Sequence, residues 1–118
     1  MQVLFQSRDP EGVLLRKLAV ERVRFAMRRM TWLVPRAKIL LTDINGPHGG
    51  VDKRCQLELK TDTNGTVVVT SIARDWGDAL NQALARAART LVRDWRRSRS
   101  TRSATRKHAR GLSLDNAV

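Results

Sequence analysis

Apolar and polar positions alternate along some stretches of this chain and recur about every 3.6 residues along others. Residues 2–7, QVLFQS, alternate as a short strand. The turn residues Asp9, Pro10, Glu11 and Gly12 break it and start a helix. Over residues 12–33 the positions Leu15, Ala19, Val23, Ala26 and Met30 step by four, four, three and four, which lays one apolar stripe along a helix. Pro35 ends it, because the residue before a proline avoids the helical region. Residues 36–45, RAKILLTDIN, are rich in strand formers, and GPHGG at 46–50 reads as a loop. Residues 53–61 alternate again, with Cys55, Leu57 and Leu59 to one side and Arg54, Gln56, Glu58 and Lys60 to the other. That is the pattern of a half-buried antiparallel strand. Asn64-Gly65 is a strong hairpin signal, and VVVTSI at 67–72 returns from it. Asp75 is positioned to cap a second helix, with Asp78 in its first turn. There Leu80, Leu84, Ala87, Leu91 and Trp95 form the buried stripe.

The predicted order is β-α-β-β-β-α, an α+β fold with a four-stranded sheet. The first β-α-β unit is a right-handed crossover and the later strands form a meander. The strands alternate, so only one sheet face is apolar, and both helices must pack on it. This is the general plan of double-stranded-RNA-binding domains, with one strand added at the front. The domain spans residues 1–97. After Arg97 the apolar periodicity stops, and residues 98–118 read as a basic, disordered C-terminal arm.

Charge changes the picture next. Lysine and arginine number 23 against 11 acids, a net charge of +12. Such an excess points to a polyanionic partner. Arginine outnumbers lysine, and guanidinium groups fork onto phosphates and stack on bases, which favours nucleic acid. The excess is not a property of the arm alone, since residues 98–118 hold five basic residues and one acid. On the second helix Arg86, Arg89 and Arg93 stand two residues beyond the core positions Leu84, Ala87 and Leu91, about 200° around the helix, and Arg96 and Arg97 follow. No acid interrupts the chain between Asp78 and Asp94. On the first helix Lys17, Arg24 and Arg28 lie opposite the stripe with Glu21 among them, while Arg22 and Arg29 flank it. Lys53 and Arg54 follow the glycine-rich loop, where they can grip phosphate.

Catalytic and metal chemistry find no support in these patterns. Cys55 is the one cysteine and alternates with leucines as a small core residue, so a disulfide or cysteine-zinc framework is excluded. His48 and His108 have no cysteine, carboxylate or serine constellation around them by spacing. GPHGG lacks the lysine–hydroxyl ending of a phosphate loop. The expectation is a protein that is not an enzyme, with no cofactor, metal, membrane partner or small-molecule substrate. The absence of a secretory signal pattern places it in the cytoplasm. Its oligomeric state is not legible here.

The opening Met1-Gln2-Val3, the Leu15-Arg16 pair and the block RDWGDALNQALARAARTLVRDW at 74–95 resemble the ribosome hibernation-promoting factor family, also called ribosome-associated inhibitor A, protein Y or sigma-54 modulation protein. NGPHGGVDKRC at 45–55 looks like a loop of one proteobacterial branch. The resemblance covers residues 1 to about 97 and is to the short form. It implies a bacterial stress-response protein that binds 16S rRNA in the decoding region of the small ribosomal subunit. There it would exclude messenger and transfer RNA. The family's helix contacts fall on Arg86, Arg89, Arg93 and Arg22. One departure is Asp75-Trp76-Gly77, where family members often have Asp, Met or Leu, then Tyr. Two other readings are a generic structured-RNA-binding module and a protein-interaction regulator, as in sigma-factor modulation.

Overall fold

A computed structural model describes residues 1–45, 52–62 and 65–112, the segment 98–112 as backbone only. The elements are β1 (Gln2–Ser7), α1 (Pro10–Leu14), α2 (Arg16–Ala26), β2 (Arg36–Asp43), β3 (Lys53–Lys60), β4 (Thr66–Ala73) and α3 (Trp76–Leu112). The strands form one sheet in the order β1-β2-β3-β4. β1 and β2 run parallel, joined across α1 and α2, and the other pairs are antiparallel. The predicted α+β architecture therefore holds, with one helix more than the pattern implied.

Alternation selects the buried face. Rows of side chains cross all four strands there: Val3, Ala37, Leu59 and Val67, then Phe5, Ile39, Leu57 and Val69, then Ser7, Leu41, Cys55 and Ser71. Ala37, Ile39, Leu41, Cys55, Leu57 and Leu59 are buried, and the helical residues Ala19, Val23, Leu80, Ala83, Ala87 and Leu91 close over them. Each fully buried aliphatic chain contributes about 1.5–3 kcal/mol. The rows also show why the ends of the core are polar. Ser71 donates its hydroxyl to the Ala79 carbonyl and ties β4 to the start of α3. Ser7 donates to the Leu41 carbonyl at 2.9 Å.

The first predicted helix is broken twice. Gly12 is buried so closely against β1 that a Cβ there would stand 2.2 Å from the Ser7 hydroxyl oxygen. At this contact the Leu15 amide reaches the Gly12 carbonyl, three residues back, and separates α1 from α2. After Ala26 the chain tightens again, with the Arg28, Met30 and Leu33 amides donating hydrogen bonds to the Phe25, Met27 and Met30 carbonyls. A period of three replaces 3.6 over this turn. Met27, rather than Ala26 or Met30, is the fully buried residue, and Leu33 and Val34 finish the core.

α3 starts as predicted: the Asp75 carboxylate accepts the Asp78 amide at 2.8 Å. Its helical backbone runs on to Leu112, past Arg97 where the apolar stripe ends. Residues 98–112 hold four arginines, two alanines and one lysine, which favour helix, beside three serines and two threonines, which favour it less. The hairpin turn is closed by the Thr61 amide on the Gly65 carbonyl at 2.9 Å, and Gly65 takes the left-handed conformation, φ 71°. Asn64, the GPHGG loop with His48, and residues 113–118 lie outside the described residues.

Candidate nucleic-acid interface

α3 packs its stripe on β3 and β4, which leaves its arginines on the outer side and over the β4 edge. Arg86, Arg89 and Arg93 are exposed and line a groove of about 660 Å3 with Val68, Val69, Thr70 and Thr90. Arg86 Nη1 donates to the Thr70 carbonyl at 2.6 Å, so its stem lies along the free edge of the sheet. Arg89, Arg93 and Arg96 also border a second recess, against Ala88 and Val92. Arg97 is exposed beyond them. Arg93 comes only within 4.0 Å of Asp94, and at this exposure such a pair contributes little. The row therefore presents guanidinium forks to solvent.

α2 places its basic residues differently. Lys17, Arg24 and Arg28 are exposed. Arg24 Nη1 reaches the Met1 carbonyl at 3.2 Å, on the β1 side. Arg28 folds back, donating to the Phe25 carbonyl at 2.8 Å with its guanidinium carbon 4.1 Å from the Phe25 ring centre. Arg29 is exposed in the turn after α2, and its carbonyl accepts the Trp32 indole N–H at 3.0 Å. Arg22 is half-buried and donates to Asn81 Oδ1 at 3.0 Å, bridging α2 to α3. Between the helices runs a trough of about 510 Å3 lined by Leu18, Phe25, Ala26 and Leu84 with the polar Glu21, Arg22 and Asn81. The two basic sets therefore flank an apolar trough. Phe25, 68 % exposed, falls outside the predicted stripe, and that was the sequence signal for this trough.

Lys53 and Arg54 do not join them. Lys53 lies on the core face, its ammonium 2.9 Å from Asp43 and 3.3 Å from Asp52, and 5.5 Å from the centre of the Trp76 ring. The hydrogen bond to Asp43 holds this ammonium above its usual range, against a smaller opposing effect of burial, with Asp52 adding to the rise. Asp52 is buried and has no hydrogen bond to its carboxylate beyond that ion pair among the described residues. The lysine is thus engaged by two acids instead of offered to phosphate. Arg54 points to the helix-free face, one residue out of phase with Cys55.

Trp76 and Trp95 pack against the core, whereas Trp32 stays 60 % exposed. Trp76 is buried, and its indole N–H donates to Glu11 at 3.3 Å. Trp32 and Trp95 meet edge to face, ring centres 5.8 Å apart. Burial pushes the Cys55 thiol up to about 12, which suits an inert core residue. No described helix is long and apolar enough to cross a membrane.

The architecture is an α+β fold, a four-stranded mixed sheet with its helices on one face and arginines along the outer side of the last helix. Solved structures share this fold. The N-terminal domain of Thermus thermophilus protein Y superposes with a TM-score of 0.61 at 19 % identity, covering 79 % of this chain and 98 % of that one. A ribosomal subunit interface protein from Coxiella burnetii gives 0.60 at 14 % identity, covering 79 % and 96 %. No protein-family model and no curated protein matches the sequence.

Proposed function

We propose that this chain is a short member of the hibernation-promoting factor family. In this reading it is a cytoplasmic, non-enzymatic protein that binds 16S rRNA in the decoding region of the small ribosomal subunit. The observation that carries it is the exposed, acid-free row Arg86, Arg89 and Arg93 along the β4 edge, on a fold shared with a protein Y domain and a ribosomal subunit interface protein. Sequence resemblance in the same helix supports it independently.

The mechanism is occupancy. A rigid sheet holds α3 so that its guanidinium groups meet rRNA phosphates without a reordering cost, and the bound domain excludes messenger and transfer RNA. Lys17, Arg24, Arg28 and Arg29 supply a second set of contacts across the trough. Arg22, held by Asn81, fixes the spacing of the two helices. The segment after Arg97 adds sequence-independent attraction, which speeds association and weakens with salt.

The test is co-sedimentation with purified small subunits across a salt series, with naked duplex RNA as competitor. Saturation near one copy per subunit that resists duplex RNA is the expected result. Binding without a plateau, erased by duplex RNA, overturns the ribosomal reading and leaves a generic basic RNA binder. Capture of a protein partner that survives nuclease, with no subunit binding, would instead identify an interaction regulator.

A further inference from the structure

The helix-free face of the sheet carries a second feature that the ribosomal reading does not use. Where β1 ends, Gln6, Ser7, Arg8, Leu40, Leu41, Thr42 and Arg54 enclose a recess of about 260 Å3. Register builds it: Gln6 pairs with Leu40 across β1 and β2, and Thr42 pairs with Arg54 across β2 and β3. Arg8 enters from the bend that follows β1. No acidic side chain lines the recess. Among the described residues, neither the Arg8 nor the Arg54 guanidinium has a hydrogen bond or ion pair. Ser7 is different, because its hydroxyl is engaged with the Leu41 carbonyl and the Asp9 amide.

The geometry points to a binding site for a single phosphate group, held by Arg8 and Arg54 and oriented by the Thr42 hydroxyl and the Gln6 amide. Size and donor number choose the ligand. The recess is below the roughly 300–1,000 Å3 of sites that enclose a drug-sized molecule, so it takes one compact group. Two guanidinium forks, a hydroxyl and an amide offer more donors than the two oxygens of a carboxylate can accept, whereas phosphate has oxygens for all of them. The apolar wall from Leu40 reduces competition from water and strengthens the charge-assisted bonds. The site lies across the sheet from the α3 row, so it stands or falls independently of ribosome binding.

The full chain, labelled with 15N, is titrated with inorganic phosphate at constant ionic strength, following the arginine Nε–Hε signals. Parallel titrations use acetate and adenosine 5′-monophosphate. Saturable shifts confined to Arg8, Arg54 and their neighbours are expected, with no comparable response to acetate. Arg54→Gln should weaken binding by about tenfold or more, and Arg8→Gln, on an exposed bend, should do the same. Arg89→Gln should leave it unchanged. Binding of the nucleotide as well as free phosphate identifies a phosphate on a larger molecule, and binding of phosphate alone identifies the free ion. Linear shifts spread over the α3 arginines, equal binding of acetate, or full affinity in both recess variants would overturn the assignment.

Discussion

Replacing Arg86, Arg89 and Arg93 together by glutamine separates recognition from folding, because their side chains are exposed and the core stripe of α3 is untouched. Each arginine that neutralises one phosphate contributes roughly 0.7–0.9 to the slope of log affinity against log salt, so losing three should lower that slope by about 2–3. Over a fourfold rise in salt, the wild-type chain should then lose roughly thirtyfold more affinity than the variant loses. The structural cost is the bond from Arg86 to the Thr70 carbonyl at 2.6 Å, since the exposed 4.0 Å pair of Arg93 with Asp94 contributes little. An exposed bond of this kind contributes about 0.5–1.5 kcal/mol, and a change of 1 kcal/mol moves Tm by about 4–8 °C in a domain of this size. The pair Arg89→Gln, Arg93→Gln lacks even that loss and should keep the wild-type Tm. Co-sedimentation with small subunits at several salt concentrations, beside thermal unfolding by circular dichroism, reads both quantities. An unchanged salt slope in the triple variant would refute the assignment of this face. A fall in Tm in the pair would show that the row supports the fold instead.

Other perturbations follow from the core and its edges. Gly12→Ala would place a methyl 2.2 Å from a Ser7 oxygen already held by two hydrogen bonds, so urea unfolding should show a loss of about 1–3 kcal/mol; unchanged stability would deny that contact. The Cys55 thiol ionises near 9.0 when unfolded and about 12 when folded, so its effect is absent below pH 9 and stability falls between pH 9 and 12, by at most ~1.4 kcal/mol per pH unit. Cys55→Ala should flatten that fall, and a thiol reagent at pH 8 should label the native chain only as fast as it unfolds. Lys53 has a raised folded value, so its pairing stabilises the fold below pH 10.5 and is lost as pH rises beyond that. Asp43→Asn should reduce this alkaline loss in pH-dependent melting. Truncation after Arg97 should weaken subunit binding and flatten its salt dependence without abolishing it; complete loss would make the removed segment the principal contact.

Periodicity alone was enough to predict the sheet, its buried face and the opposed basic face of the last helix. Alternation at Cys55, Leu57 and Leu59 leaves one arrangement that hides the apolar side, and the step shared by Leu80, Leu84, Ala87 and Leu91 does the same for α3. Those elements bury their stripes against partners that each strand or helix needs irrespective of detail. The breaks at Leu15 and Ala26 were not legible, because they depend on Gly12 meeting Ser7 across the fold and on Met27 reaching a core the chain builds only later. Charge placement divided the same way. A row of arginines on one helix is a local property, so Arg86, Arg89 and Arg93 could be found by counting. Whether a cation is free is a tertiary property. Lys53 and Arg54 are neighbours in sequence, yet the pleat sends one to the half-buried Asp43 and the buried Asp52 and the other across the sheet to the recess that Arg8 also lines. Period and composition suffice to set which faces are apolar and which are basic. Only the folded chain decided which basic groups have a protein partner and which remain for a ligand, because that depends on residues brought together from opposite ends of the strands.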